Sequence, residues 1–357
     1  MGQMKNPRST FKFALLATFA LLPLASSAPL NAQNTASAES DFATFARQLG
    51  EQAVAAGVSR ATVNAVVPTL SLNQRVIDLD RAQPGGNAND PNAPIPKFAP
   101  YKARHVDAER ISRGRSKYQA LRGLLGRVER ETGVPESIMV AIWGNETNYG
   151  VVTGNFDLSN SLATLAYEGR RRALFTGEFI ATLKLMDRGF SRDTLKGSWA
   201  GATGYPQFLP SMYLRMARDG DGDGKADIWR SEPDALASIA NYFVKAGWRA
   251  GEPWGVSAAV PASFNRDSVR NLTVSPRCAR VHARHSRWLS LGEWRSLGIS
   301  QISGQQLPDA TMASLLEPDG PGTPAYLLTG NYRVILDYNC SNFYGLSVGL
   351  LADAVEK

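Results

Sequence analysis

The chain has 357 residues, 43% of them hydrophobic and 20% charged. This is the profile of a globular protein long enough to bury a large core, as one elaborated domain or two intimate ones. Its formal charge of +7 is modest and gives little support to a nucleic-acid partner.

The first element in chain order is a signal. Lys5, Arg8 and Lys12 precede the apolar run 13–24, which is too short to span a bilayer and is followed by small residues. This reads as a secretory signal peptide over residues 1–32, with cleavage after Ala32. Removing it takes away three positives and no acid, which leaves +4. No cysteine lies near the cleavage point, so no membrane anchor is expected after cleavage, and no later run is long enough for a transmembrane helix. The expected location is the periplasm, as a soluble protein.

Residues 33–40 read as a polar leader. From Asp41 to about Val67 the apolar residues Phe42, Phe45, Ala46, Leu49 and Ala53 recur with helical spacing. The stretch from Arg75 to Arg81 fits strand or helix, and residues 83–98, rich in Pro, Gly and Asn, read as a loop. Helical patterns dominate from about Ala108 to about Gly247, and the region from Trp254 to about Pro324 is mixed. Around Thr329-Gly-Asn331 the β-formers of Tyr326 to Tyr338 signal a hairpin. Residues 352–356 read as the tail of a helix.

Within the helical region, Val134 to Gly150 is the most informative segment. Pro135 fits a first helical position and Gly150 a stop. Ile138, Ile142 and Glu146 are spaced i, i+4 and i+8 and share one face, flanked by Met139 and Trp143. A carboxylate ending an apolar stripe beside a Trp is partly desolvated, which raises its pKa and prepares it to donate a proton near neutrality. A helix-end glutamate that simply reaches water is the plainer alternative.

A second constellation is Lys196 to Ser211. Its glycines allow close backbone approach. Ser198, Tyr205 and Gln207 offer hydrogen bonds, and Trp199 and Phe208 offer flat apolar surface. That mixture suits a sugar, though a turn cluster would read similarly. A third is Asp219-Gly-Asp-Gly-Asp-Gly-Lys-Ala-Asp227. Asp219, Asp221, Asp223 and Asp227 occupy positions 1, 3, 5 and 9 of an EF-hand-like calcium loop, with Gly224 at position 6 and the Lys225 carbonyl at position 7. Arg230 stands where the bidentate Glu belongs, and Glu232 or Asp234 could substitute. An acidic turn held by Asx bonds is the alternative.

Cys278 and Cys340 are the only cysteines. In an exported protein such a pair is expected to form a disulfide, the alternative being two separate buried thiols. The three histidines give no zinc-ligand spacing with them. Neither a Gly-rich phosphate loop nor a Gly-x-Ser-x-Gly elbow is present.

Gly144-Asn-Glu-Thr-Asn-Tyr-Gly150, the Gly-rich segment 197–211, the acidic loop, Ala240-Asn-Tyr-Phe243 and Gly247-Trp248 follow one another in this order. Order and spacing resemble the membrane-bound lytic transglycosylase B family of peptidoglycan lytic transglycosylases, from about residue 41 to the C-terminus. The resemblance implies a mainly α (α+β) fold: a lysozyme-like core, an additional helical region and a small antiparallel sheet. The catalytic domain would be 33–357, with a helical part over about 41–250, including the calcium loop 219–234, and a mixed β part over about 254–340.

It also implies cleavage of the β-1,4 bond between N-acetylmuramic acid and N-acetylglucosamine without water, with Glu146 as single acid/base and no catalytic cofactor. Ser198, Gln207, Tyr242, Tyr338, Asn339 and Tyr344 match the family's substrate-binding residues, and Tyr101 is a looser match. The loop Asp219 to Asp234 matches a structural calcium site, with Asp234 the nearest match to its last carboxylate but one residue late. The partner implied is the glycan strand of peptidoglycan; protein partners are not indicated. A glycosidase ordinarily uses two carboxylates, and only one is nominated here. A hydrolytic muramidase and a non-catalytic wall-binding protein therefore remain as alternatives.

Overall fold

The computed structural model describes residues 30–83, 96–302 and 306–357. The signal-peptide reading, apart from residues 30–32, and most of the Pro/Gly/Asn-rich stretch lie outside the described residues.

The architecture is mainly α-helical, built around the helix Glu136–Thr147. Residues 137–144 and Thr147 of this helix are all buried, so it is apolar all round rather than on one stripe. It packs against Ala108–Ala120, Arg122–Thr132, Glu232–Lys245 and the C-terminal helix Asn342–Glu356. A second layer pairs Leu158–Glu168 with Arg172–Asp187. Trp143, Met139, Ile142, Phe179, Phe243 and Tyr332 are among the fully buried side chains of this core.

A smaller core lies under an antiparallel five-stranded sheet. Its order is Leu289–Ser290, Met312–Leu316, Ala325–Leu328, Gly255–Ala259 and Ser300–Gln301. Leu315 pairs with Leu327, and Val256 with Leu327 from the other side. Trp294, Val269 and Ile299 fill the space beneath. The chain then returns to the helical core through Gly330–Tyr338 and Asn342–Glu356.

Several sequence expectations need correction. The supposed leader 33–40 lies inside the helix Leu30–Ala55. The ambiguous stretch at Arg75 is the helix Gln74–Arg81, started by the Asn73 side chain accepting from the Val76 N–H. A helix at Phe98–His105 begins at the end of the stretch expected to be a loop and was not anticipated. The central helix places Pro135 at its N-cap and ends at Thr147 on a left-handed Asn148, three residues before Gly150.

The hairpin around Thr329 does not exist. Ala325–Leu328 is a strand, but Thr329 caps the helix Gly330–Tyr338 and accepts from the Asn331 N–H. Tertiary contacts decide this. The fully buried Asn331 amide donates to the Arg249 and Glu252 carbonyls (2.8 and 2.5 Å) and accepts from the Arg249 N–H, while Glu252 takes the Gly330 N–H. Burial of Val334, Ile335 and Leu336 against the main core then outweighs their β preference.

Candidate active site

Glu146 occupies the last turn of the central helix and is partly exposed. Burial raises its carboxyl to about 7, opposed by one hydrogen bond from the Tyr344 hydroxyl. That bond is 2.6 Å long and ends on Oε1. No second carboxylate acts on Glu146 among the described residues. The group is therefore about half protonated at pH 7, with an oriented oxygen and no anionic neighbour among the described residues. Trp143, one turn back, is fully buried and packs on Tyr149 and Tyr205.

Tyr344 stands in the first turn of Asn342–Glu356, which Ser341 caps through the Tyr344 N–H. Its ring is parallel to that of Tyr338, with centroids 6.4 Å apart. Tyr338 ends the preceding helix and donates to the Pro206 carbonyl at 2.5 Å. Tyr242 meets Tyr338 edge-on at 4.8 Å and donates to the Asp337 carbonyl. Burial pushes Tyr242 up to about 12 and Tyr338 and Tyr344 well above the ordinary tyrosine range, so all three stay neutral donors. On the other flank Tyr101 stacks on His105 at 3.8 Å and feels the Glu146 charge.

The chain after Glu146 is clasped to the Gly-rich segment. Thr147 donates from its hydroxyl to the Tyr205 carbonyl at 3.1 Å and accepts from the Gly150 N–H. Gly154 approaches Gly197 so closely that a Cβ there would lie 2.3 Å from the Gly197 carbonyl. Gln207, left-handed with φ 49°, donates to the carbonyls of Thr153 and Gly204. Ser198 accepts from the Ala202 N–H at 3.0 Å.

Glu146, Tyr344, Tyr338, Tyr242 and Tyr101 thus come together through direct contacts or through the Glu146 charge. Ser198 and Gln207 stand on the loop clasped beside them. Asn339 is exposed at the C-cap of the Tyr338 helix. The sequence reading missed Thr147 and the pair Ser347–Asn145, where the Ser347 hydroxyl donates to Oδ1 of the residue beside Glu146 at 2.8 Å. The available signal was Ser347 one turn beyond Tyr344.

At the acidic loop, carboxylate oxygens of Asp219, Asp221 and Asp223 lie within 4.8 Å of one another. Asp219 accepts from the N–H groups of Gly222 and Gly224, which lowers its pKa. Asp227 and Asp234 stand outside this trio. The buried Asp234 accepts from the Gly220 and Asp227 N–H groups and so staples the two ends of the loop. Asp227 accepts from Trp229 and Arg230 N–H. Cys278 and Cys340 are joined, and Cys340 directly follows Asn339.

Residues 41–353 match the model of the Transglycosylase SLT domain. The membrane-bound lytic murein transglycosylase B of Escherichia coli K12 is 32% identical over 281 residues, 78% of this chain and 72% of that protein. The chain belongs to the SLT transglycosylase family.

Solved relatives agree. SltB3 of Pseudomonas aeruginosa, in complex with NAG-anhNAM-pentapeptide, is 37% identical with TM-score 0.76, covering 88% of this chain and 79% of that one. The Escherichia coli lytic transglycosylase Slt35, in complex with calcium, is 29% identical with TM-score 0.70, covering 87% and 92%. This SLT transglycosylase is thus a lytic murein transglycosylase, an enzyme acting on peptidoglycan. Among its described residues, no helix is long and apolar enough to cross a membrane.

Proposed function

We propose that Glu146 serves alone as acid and then base, cleaving the bond between N-acetylmuramic acid and N-acetylglucosamine to leave 1,6-anhydro-muramic ends. The observation that carries this is the raised carboxyl of Glu146 with the Tyr344 hydroxyl as its only polar influence among the described residues. Protonated, Glu146 gives its proton to the glycosidic oxygen as the C1–O bond breaks. The sugar's own N-acetyl group stabilises the cationic C1. Glu146, now a carboxylate, takes the proton of the 6-hydroxyl as that oxygen bonds to C1, which restores the acid. The substrate supplies the nucleophile, held at high effective concentration, so a second carboxylate is unnecessary.

Tyr101, Tyr242, Tyr338 and Tyr344 line the groove as faces for sugar rings, and Ser198, Gln207 and Asn339 position acetamido and lactyl groups. The strands bound carry peptide stems, as the SltB3 ligand does. The trio Asp219, Asp221 and Asp223, with the Lys225 carbonyl, fits a structural calcium ion. Asp227 and Asp234 complete it only if their carboxylates turn inward. No cofactor enters the chemistry, and the N-terminal signal supports export to the periplasm.

Digestion of sacculi in heavy-oxygen water tests the reading. Intramolecular attack leaves the new muramic end unlabelled and one water lighter than a hydrolysed end. A labelled reducing end as the main product would make this a muramidase instead.

A further inference from the structure

Between Asp267 and Glu293 the sequence holds five arginines, Arg270, Arg277, Arg280, Arg284 and Arg287, and no carboxylate. Two guanidiniums, Arg287 from this segment and Arg333 from the helix Gly330–Tyr338, line one cavity of about 310 Å³ together with His282 and Trp288. Neither is in an ion pair among the described residues, although Arg277 of the same segment is paired with Asp337. Arg333 lies over the Trp288 ring at 5.1 Å, and burial lowers its pKa. His282 is 7% exposed, and its Nδ1 is buried with no hydrogen-bond partner. A buried polar atom of this kind ordinarily has a partner. At the rim, Val274 is 82% exposed and, just upstream, Leu272 is 87% exposed.

The geometry points to a carboxylate-binding site, formed by Arg287, Arg333 and His282, for the C-terminal residue of a peptide stem on the wall polymer. Unpaired guanidiniums match a carboxylate in a planar, two-pronged geometry. The volume is at the small end of ligand pockets, suited to a terminal amino-acid residue rather than to sugar rings. Val274 offers that residue's side chain an apolar contact. The cavity is tied to the groove in two ways. Arg333 shares its helix with Tyr338, and the His282 segment is bonded to Cys340 through Cys278. A strand in the groove could therefore present its stem here. The ligand's identity, though not the site's anion chemistry, rests on the peptidoglycan reading given above.

The test is a chemical-shift titration of the full mature chain, following the His282 ring and Trp288 indole signals. The probes are a stem-type pentapeptide with a free C-terminal carboxylate, the same peptide as its C-terminal amide, and inorganic phosphate. The acid should shift both signals, and the amide should bind at least about tenfold more weakly, the effect of losing one charged hydrogen-bonded pair. Arg287→Ala, at an exposed position, should weaken the acid by a similar factor, with Arg287→Lys in between. Cleavage of peptide-free glycan strands should be unchanged in Arg287→Ala. Equal binding of acid and amide, or undiminished binding by Arg287→Ala, overturns the site. Phosphate binding as tightly as the peptide overturns the peptide assignment. Because the titration does not read cleavage, an enzyme that failed the heavy-oxygen test would leave this result interpretable.

Discussion

The Tyr344 hydroxyl donates to Oε1 of Glu146 across 198 residues of chain, at 2.6 Å. It joins the end of the central helix to the start of the last one and fixes one oxygen of the acid. The same bond stabilises the carboxylate over the acid, against the burial that does the reverse. Burial dominates, so the acid form survives to about pH 7.

Glu146→Gln separates catalysis from folding. Glutamine keeps the shape but cannot pass a proton, so turnover should fall by at least about 10²-fold while glycan binding persists. Stability should move the other way. Burial raises the Glu146 carboxyl to about 7 in the folded protein, against an ordinary 4.5. Between these values the native state holds a proton that the unfolded chain releases, so stability declines as pH rises through that window. The variant should match wild type at pH 4 and exceed it at pH 8 by on the order of 3 kcal/mol. Melting curves at the two pH values check this; a wild-type protein equally stable relative to Glu146→Gln at both would contradict the buried-acid account.

Tyr344→Phe should shift the alkaline limb of the pH–rate profile. Activity requires protonated Glu146 and falls as pH rises through about 7. Removing the donor withdraws stabilisation from the carboxylate alone, so the limb should move up by about one unit. The rate at the optimum should also drop, because Oε1 is no longer held. A limb that stays put would mean the bond is absent in the working enzyme.

How far the site was legible follows from how each signal is encoded. Glu146 was visible because desolvation and helix position are local properties of 134–150. The acidic trio was visible because its carboxylates are close in sequence. The Tyr344–Glu146 bond and the Ser347–Asn145 bond join residues 198 and 202 apart. Only the family resemblance brought Tyr344 into view, and nothing brought Ser347. The false hairpin at Thr329 has the same origin: local β-formers were overruled by Asn331 binding carbonyls some 80 residues upstream.

The bridge between Cys278 and Cys340 closes a loop of 62 residues. Constraining the unfolded chain by that much corresponds to about 4 kcal/mol. The double variant Cys278→Ser, Cys340→Ser should therefore unfold at a lower denaturant concentration. Because Cys340 adjoins Asn339, its KM for glycan strands should rise more than its kcat falls. Urea titration and steady-state kinetics check the two parts, and an unchanged midpoint would remove the bridge from the stability account.

The proposed calcium site rests on Asp219, Asp221 and Asp223, whose oxygens converge within 4.8 Å while all three side chains stay exposed. Three carboxylates so close repel one another, and a divalent cation relieves that repulsion. Ligand that binds only the folded loop stabilises it by about 2.7 kcal/mol at a hundredfold excess over Kd. Adding calcium to chelator-treated protein should raise Tm, and Asp223→Ala should abolish the rise. Magnesium should substitute poorly, since it demands tighter octahedral geometry. Asp234→Asn distinguishes the two roles open to that residue. As the staple for the Gly220 and Asp227 N–H groups, it should lower Tm with and without calcium alike. As a ligand it should lower Tm only when calcium is present. A Tm indifferent to both chelator and calcium in the wild-type protein would leave the loop as an acidic turn held by its own backbone hydrogen bonds.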